Sequence, residues 1–485
     1  MAIANQPAIA LEAAPHIAGA RVDSTEWRPL TSPYTGATIG RAAISGKDAL
    51  EDAVRAATEA REVMRSMPLH RRAELLRRIA DLVEERHVDI ARRVSLQMGK
   101  AFKNTKREVG RSSWTFRAAA TAAETLGGEV LPITAGPDAD GLLSMAIREP
   151  IGVVAAITPF NSPFNLVAHK VAPALAAGNT VVIKPASPAP YSALDLVDLV
   201  EEAGVPAGVV NVLPGDRTTA LELAAHGEID LVTFTGGREA GEALRKAATL
   251  KKVLLELGGN SPNVIHADAD VEGAAKSCAA GGFVNTGQSC NSVQRVIVHT
   301  SVLEQVVAVL CAEAERLRVG DPVDPETDVG TLVNRQSAER IAGWLSEAVE
   351  GGARVEAGGT VEGAALTPTV VTHAPSTSQL VCDEVFGPVV VVIPYSDLDE
   401  AVQIANSTPY GLQSAVFTAS LETSLALIAG IKAGAVHVNR SSNFRRDHLP
   451  FGGVKESGIG REGPMFAVEE MTNIKHIVWA PTAGV

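Results

Sequence analysis

Cysteine is scarce in this chain: Cys278, Cys290, Cys311 and Cys382 are the only ones among 485 residues, and no two form a CxxC pair. Residues so few and scattered argue against a disulfide framework or a thiolate zinc module, and a reducing cytoplasm is the simplest expected location. Long apolar runs are also missing. The smoothest stretch, 151–160, is about half of the roughly 20 residues a membrane helix needs, and it contains Gly152 and Pro159. No membrane association is expected. The Ala-rich start has no Lys or Arg before Arg21 and is interrupted by Glu12 and His16, which argues against a secretory or transit signal. Positive charge is in deficit, with a net charge of −13, so a dedicated nucleic-acid binder is not expected. HExxH, clustered His and Cys, GxxxxGK[ST] and GxSxG are all absent, which leaves metal, ATP and serine-hydrolase chemistry without local support.

What is present is a globular composition, 46% hydrophobic and 20% charged, in a chain too long for one core. Two or three domains are expected. Segments 47–65 and 69–97 carry the apolar spacing of amphipathic helices, with Leu75, Leu76, Ile79, Leu82 and Val83 on one face. From 151 onward, short Val/Ile/Leu runs at 151–157, 181–183, 209–212, 231–234 and 253–257 alternate with helical stretches at 164–176, 190–203, 217–225 and 238–248. Continuous apolar runs are what strands covered on both faces require, so a doubly wound, Rossmann-like sheet is predicted. A second βα series starts after Gly258 and Gly259, with strands at 263–265, 293–299, 389–395, 414–418 and 435–439. Segment 126–149 differs: Gly127, Gly128, Pro132, Gly136, Pro137 and Gly141 punctuate two extended pieces, the pattern of a β-hairpin arm.

Several residues are candidates for chemistry. Cys290 ends the polar turn Asn285-Thr-Gly-Gln-Ser-Cys290 at the junction of the two series; a cysteine so placed is an accessible nucleophile or, taken alone, an ordinary small buried residue. Glu256, amid apolar neighbours at a strand end, reads as a general base with a raised pKa or equally as an edge glutamate facing water. Asn161, directly after the first strand, is an oxyanion donor or simple turn chemistry between two prolines. Phe234-Thr-Gly-Gly-Arg-Glu-Ala-Gly241 follows a strand and opens a helix, so its N–H groups are suited to a pyrophosphate, although it is not GxGxxG. Lys184, ending a strand, is a cation for an adenosine ribose or its phosphate, or an exposed surface lysine.

Taken together and in this order, the segments resemble the aldehyde dehydrogenase superfamily, from Ser32-Pro-Tyr-Thr-Gly36 to Gly460-Arg-Glu-Gly463. The most specific parts are Glu256-Leu-Gly-Gly, Gly287-Gln-Ser-Cys290, Glu384-Val-Phe-Gly-Pro388 and Pro450-Phe-Gly-Gly-Val-Lys455. The resemblance implies a cofactor-binding domain over 1–125 and 150–257, a catalytic domain over 258–455, and an oligomerisation arm with a C-terminal tail over 126–149 and 456–485. It implies NAD or NADP as cofactor, a small-molecule aldehyde as substrate, and assembly as a homodimer or homotetramer. By motif match Cys290 is the nucleophile, Asn161 and the Cys290 N–H hold the oxyanion, and Glu256 activates the water that cleaves the thioester, with Lys170 and Glu462 relaying its proton. The cofactor positions carried over are Ile157, Thr158, Pro159, Phe160, Lys184, Ser187, Gly215, Thr235, Gly236, Gly237, Leu257, Glu384 and Phe386. Arg111, Phe164, Ser289 and Arg445 match substrate positions.

Departures from the family pattern bear on specificity. Ser187 stands where many NAD-preferring relatives carry a Glu that would repel a 2′-phosphate, so NADP is admitted and NAD is not excluded. Ser441-Ser-Asn-Phe-Arg445 and Tyr410-Gly-Leu-Gln413 resemble the branch acting on small oxygenated or anionic aldehydes such as lactaldehyde, glyceraldehyde 3-phosphate and phosphonoacetaldehyde, with Arg111, Arg445, Arg446 and His448 as sources of positive charge. Phosphate users of that branch often have Arg before the cysteine and His after Pro-Phe-Asn, where this chain has Ser289 and Ser162; this counts against a strongly anionic substrate and leaves neutral or aromatic aldehydes open. Two competing expectations are a CoA-acylating semialdehyde dehydrogenase, in which the general-base Glu is typically absent, and a non-catalytic binding or structural member of the fold.

Overall fold

The computed structural model describes residues 11–480; the beginning of the Ala-rich start and the last residues of the expected tail lie outside them. The apolar runs form strands whose successive side chains enter different cores. In Val153–Ile157, Val154 and Ala156 pack into a core shared with the long helices Lys47–Ser66 and Leu69–Met98, chiefly the second. Val153, Ala155 and Ile157 pack into a separate core with Leu223, Leu244 and Leu255. Helices therefore cover both faces of this sheet, as the unbroken hydrophobic runs require.

Five parallel strands make the centre of the first sheet, in the spatial order Lys252–Glu256, Leu231–Thr235, Val153–Ile157, Thr180–Lys184, Val210–Val212. The chain starts in the middle, winds outward in one direction and then returns to wind outward in the other. The order reverses between Val153–Ile157 and Leu231–Thr235, where ligands of doubly wound sheets bind. Short antiparallel strands close the edges, His16–Ile17 on Val210–Val212 and Gly458–Ile459 on Lys252–Glu256.

A second sheet runs in the order Arg354–Ala357, Thr369–Thr372, Val389–Tyr395, Val293–His299, Ser261–Ile265, Gln413–Phe417, Ala435–Val438, parallel except for its first strand. Here too Val390 and Val392 face one core and Val389 and Val391 another. Segment 126–149 and the C-terminal strand make a third, antiparallel sheet, Thr472–Trp479 on Leu143–Pro150 on Glu129–Leu131. The segment after 455 divides: Gly458–Ile459 joins the first sheet and Pro464–Glu470 packs on Phe102–Thr125 and Asn165–Ala177, so only Thr472–Trp479 lies in the arm sheet. Among the described residues no helix is long and apolar enough to cross a membrane.

Phe102–Thr125 is a helix with no strong apolar stripe in the sequence. Its buried face is small and polar, with Thr105, Glu108, Ser112 and Thr115 turned inward beside Val109 and Phe116. That face meets the functional site.

Candidate active site

The strands of the first sheet end level. Ile157 is in register with Lys184 and Phe234, and Thr235 with Glu256, so these residues share one edge at the point where the strand order reverses. Thr158, Pro159 and Phe160 continue from that edge, and the Phe160 ring meets Phe386 edge-on at 5.7 Å. The residues fit a dinucleotide on structural grounds. Thr158 Oγ1 is buried without a partner, and Lys184, 6% exposed, has no hydrogen-bond or ion-pair partner among the described residues. Burial, reinforced by Arg28, lowers the Lys184 ammonium to about 8, with Asp216 opposing. The helix Arg238–Ala248 begins at Gly237 without a side-chain cap, which leaves N–H groups for an anion. Gly236 leaves no room for a Cβ, which would sit 2.4 Å from the Phe234 ring. Ser187 Oγ donates to the Gly215 carbonyl at 2.8 Å, and Leu257 is buried beside Gly241. Glu384 accepts from the Gly259 N–H at 3.0 Å, and burial raises its carboxyl to about 7 despite that bond and Arg340.

Cys290 lies on a strained turn. Asn285 and Thr286 have φ of 57° and 55°, left-handed values costly for residues with a Cβ, and Gly287 follows at 67°. A Cβ on Gly287 would meet the Gly387 carbonyl at 2.0 Å. Side-chain amides hold the turn: Asn285 Nδ2 donates to the carbonyls of Gln288 at 2.9 Å and Asn161 at 3.1 Å, and Asn161 Nδ2 donates to Gln288 O at 2.9 Å. The Cys290 N–H has no protein acceptor among the described residues. Burial pushes the thiol well above its ordinary pKa, and Glu384, Glu256 and Glu462 add to this while Arg445 works against it.

Glu256 is buried, its Oε2 has no partner, and burial together with the Glu462 carboxylate raises its pKa well above the ordinary value. Glu462 behaves oppositely. Burial disfavours its charge, but Lys170 and Arg445 outweigh that and hold the carboxyl at about 2. Lys170 Nζ donates to Glu462 Oε1 at 3.2 Å and to Thr233 Oγ1 at 3.2 Å; Arg445 Nη2 donates to Glu462 Oε2 at 3.0 Å. The network continues through His169, whose Nε2 lies 2.9 Å from Asp447 Oδ1 and whose burial, with Arg445, lowers its proton affinity, to Arg111 at 3.3 Å from the same oxygen.

In front of Cys290 is a cavity of about 390 Å³. Asn161, Cys290, Arg111, Ser289 and Arg445 line it, as does Ser162. Phe164 does not. It has no exposed surface and belongs to the core against Val167, because its backbone begins the helix Asn165–Ala177 and turns the ring inward; the expectation of a substrate contact there is corrected. The sequence reading missed Lys100, Arg107, Glu108 and Arg440, which also line the cavity. Lys100 and Glu108 are a buried pair at 2.6 Å; Lys100 also donates to the Asn161 carbonyl at 3.1 Å, and Glu108 Oε1 accepts from the N–H groups of Phe164 and Asn165. His169 and Asp447 were also missed, although His169 and Lys170 side by side in an apolar helix are a legible signal.

Residues 21–477 match the family described as the aldehyde dehydrogenase family. The 3-sulfolactaldehyde dehydrogenase of Priestia aryabhattai is 40% identical over 94% of this chain and 95% of its own. The crystal structure of aldehyde dehydrogenase 21 from Physcomitrella patens with the reaction product succinate superposes with a TM-score of 0.94 at 34% identity, covering 98% of this chain and 100% of that one. That of glyceraldehyde-3-phosphate dehydrogenase GapN from Methanocaldococcus jannaschii with NADP gives 0.90 at 36%, over 95% and 99%.

Proposed function

The chain belongs to the aldehyde dehydrogenase family, as an NAD(P)-dependent enzyme, and from that premise we propose that it oxidises a small aldehyde with an anionic tail to the free carboxylic acid through Cys290. The observation that carries this reading is the meeting of Cys290 and the Asn161 side chain on one cavity, with Glu256 close enough that its charge, once ionised, acts on the thiol.

Cys290 gives its proton to water in the cavity, and the Sγ adds to the carbonyl carbon as the C=O π pair moves onto oxygen. The unpaired Cys290 N–H and the second hydrogen of the Asn161 amide stabilise the oxyanion that forms. Bound NAD(P) supplies the hydride acceptor. Cys290 then carries an acyl thioester, and Glu256 takes a proton from the water that cleaves it. Lys170 and Glu462 offer that proton an onward path. A partnerless carboxylate oxygen at Glu256 supports water over CoA as the acceptor.

The anionic tail is supported by charge. Arg107, Arg440 and Arg446 line the cavity without a carboxylate partner among the described residues, and its lining carboxylate, Glu108, is neutralised by Lys100. These arginines supply charge that Ser289 and Ser162 do not. Solvent-exposed Val130, Ile474, Val478 and Trp479 on the arm sheet support a homodimer or homotetramer, and four free cysteines support a cytoplasmic location. The test is reduced-nicotinamide absorbance with NAD and NADP across small sulfonated, carboxylated, phosphorylated, neutral and aromatic aldehydes. An anionic aldehyde should exceed its neutral isostere at least tenfold in kcat/KM, with the advantage shrinking in salt; a neutral or aromatic preference overturns the anionic assignment.

A further inference from the structure

The second strand of the first sheet ends at Lys184, and in a doubly wound sheet this is the neighbourhood where an acidic residue selects the ribose 2′-hydroxyl or a cation selects a 2′-phosphate. No acid stands at Ser187. Instead a residue distant in sequence reaches in: Arg28, from the strand Trp27–Thr31, donates through Nη2 to the Ser187 carbonyl. Arg28 Nε is buried without a partner, and Nη1 has no protein acceptor among the described residues. The guanidinium is anchored by one corner and has unused donors.

Lys184 is the second cation. Its stem is buried and its ammonium is unpaired, although Arg28 lies close enough to lower its proton affinity. Two neighbouring cations without ion-pair partners repel one another, a cost that a dianionic phosphate between them would relieve. Asp216, the carboxylate that acts on both cations, forms an ion pair with neither and caps a helix, with Oδ1 accepting from the N–H groups of Thr218 at 2.8 Å and Thr219 at 3.1 Å.

We propose that Arg28 is a specificity-determining residue for NADP over NAD, forming with Lys184 a two-cation seat for the 2′-phosphate of the adenosine ribose. This rests on the reading of the first-sheet crevice as the dinucleotide site. A guanidinium presents planar, directed donors to phosphate oxygens, whereas the lysine contributes a point charge.

Calorimetric binding of adenosine 2′,5′-bisphosphate and adenosine 5′-monophosphate tests the assignment without turnover. Arg28→Gln should weaken the bisphosphate ten- to a hundredfold and the monophosphate less than threefold. Arg28→Lys should recover part of the loss, and the bisphosphate affinity of the unmodified protein should fall more steeply with salt. Ser187→Glu, which keeps Arg28, should also weaken the bisphosphate selectively and serves if the Arg28 variants do not fold. Equal losses for both nucleotides would reduce Arg28 to a brace for the Ser187 loop and overturn the proposal, as would no loss. Failure of the unmodified protein to bind either nucleotide would overturn the crevice reading itself, a result distinguishable from the other two.

Discussion

Arg445 lines the cavity in front of Cys290 and donates to Glu462 Oε2 at 3.0 Å, so one side chain joins the proposed nucleophile to the carboxylate that neighbours the proposed base. It lies over the Phe451 ring, 3.9 Å from its centre, which fixes the guanidinium plane. This cation works against burial and against three carboxylates to favour a thiolate at Cys290.

Arg445→Met should therefore raise the thiol pKa further. Alkylation of Cys290 by iodoacetamide should slow about tenfold at pH 8 for each unit of added shift, with the profile moving to higher pH. Thermal stability should fall as well, because removing one partner of a buried pair costs roughly 3–5 kcal/mol. An alkylation profile identical to that of the unmodified protein would show that Arg445 does not influence the sulfur.

Glu256 retains its proton above the usual carboxylate range, first because it is buried and next because Glu462 is charged. As a base it acts only when ionised, so deacylation should accelerate with rising pH until Glu256 has lost its proton. Glu256→Gln should keep a first-turnover burst of reduced nicotinamide and lower the steady state by about 10²–10⁴, the usual worth of a positioned base. Stopped-flow absorbance separates the two phases; a steady state that stays unchanged would remove Glu256 from the deacylation step.

Much of this arrangement was legible in the sequence because apolar patterning and motif spacing are local. The runs that became Val153–Ile157, Thr180–Lys184 and Leu231–Thr235 have no polar alternation, which identifies strands buried on both faces. Their places on turns left Cys290 and Asn161 open between chemistry and packing, and only the motifs taken together, through the family resemblance, singled them out. The Lys100 and Glu108 pair did not stand out, since nothing local distinguishes a buried charge on a mixed-polarity helix from a solvated one. Phe164 misled for the reverse reason: its neighbours Asn161 and Ser162 face the cavity while its own ring turns into the core. Arg28 meets Ser187 across 159 positions, a contact that only the fold creates.

Lys100 and Glu108 brace the proposed oxyanion residue from behind: the ammonium holds the Asn161 carbonyl, and the carboxylate receives the first N–H groups of the helix that follows. Lys100→Met leaves that carboxylate buried without its counter-charge. The thermal midpoint should drop and kcat should fall with little change in KM, whereas Asn161→Ala should lower kcat by about 10²–10³ with a smaller drop in the midpoint from the lost bond to Gln288. A Lys100→Met enzyme with normal kcat would show that Asn161 holds its place without the pair.

The arm sheet exposes Val130, Ile474 and Trp479 at 74%, 66% and 62%, an apolar surface that water does not favour. Ile474→Asp places a charge in that surface and should shift the protein toward a smaller species in sedimentation equilibrium. A monomeric unmodified protein, or an assembly state unaffected by the aspartate, would overturn the proposed contact through the arm sheet.

Asp447 gives the pH dependence of folding a definite sign. Burial works against its charge, but the hydrogen bond with His169 and the guanidinium of Arg111 prevail and hold its carboxyl well below the ordinary range. An unfolded aspartate takes up its proton near pH 4, while the folded one does not, so below about pH 5 the unfolded chain binds more protons. The stabilisation is complete above the unfolded value and is lost progressively as the pH falls toward the folded one. Asp447→Asn removes this contribution: its thermal midpoint should lie below that of the unmodified protein at pH 7, and the gap should begin to narrow below about pH 5 and keep narrowing as the pH falls toward the folded value. A gap that stays constant below about pH 5 would show that folding does not lower the proton affinity of this carboxylate.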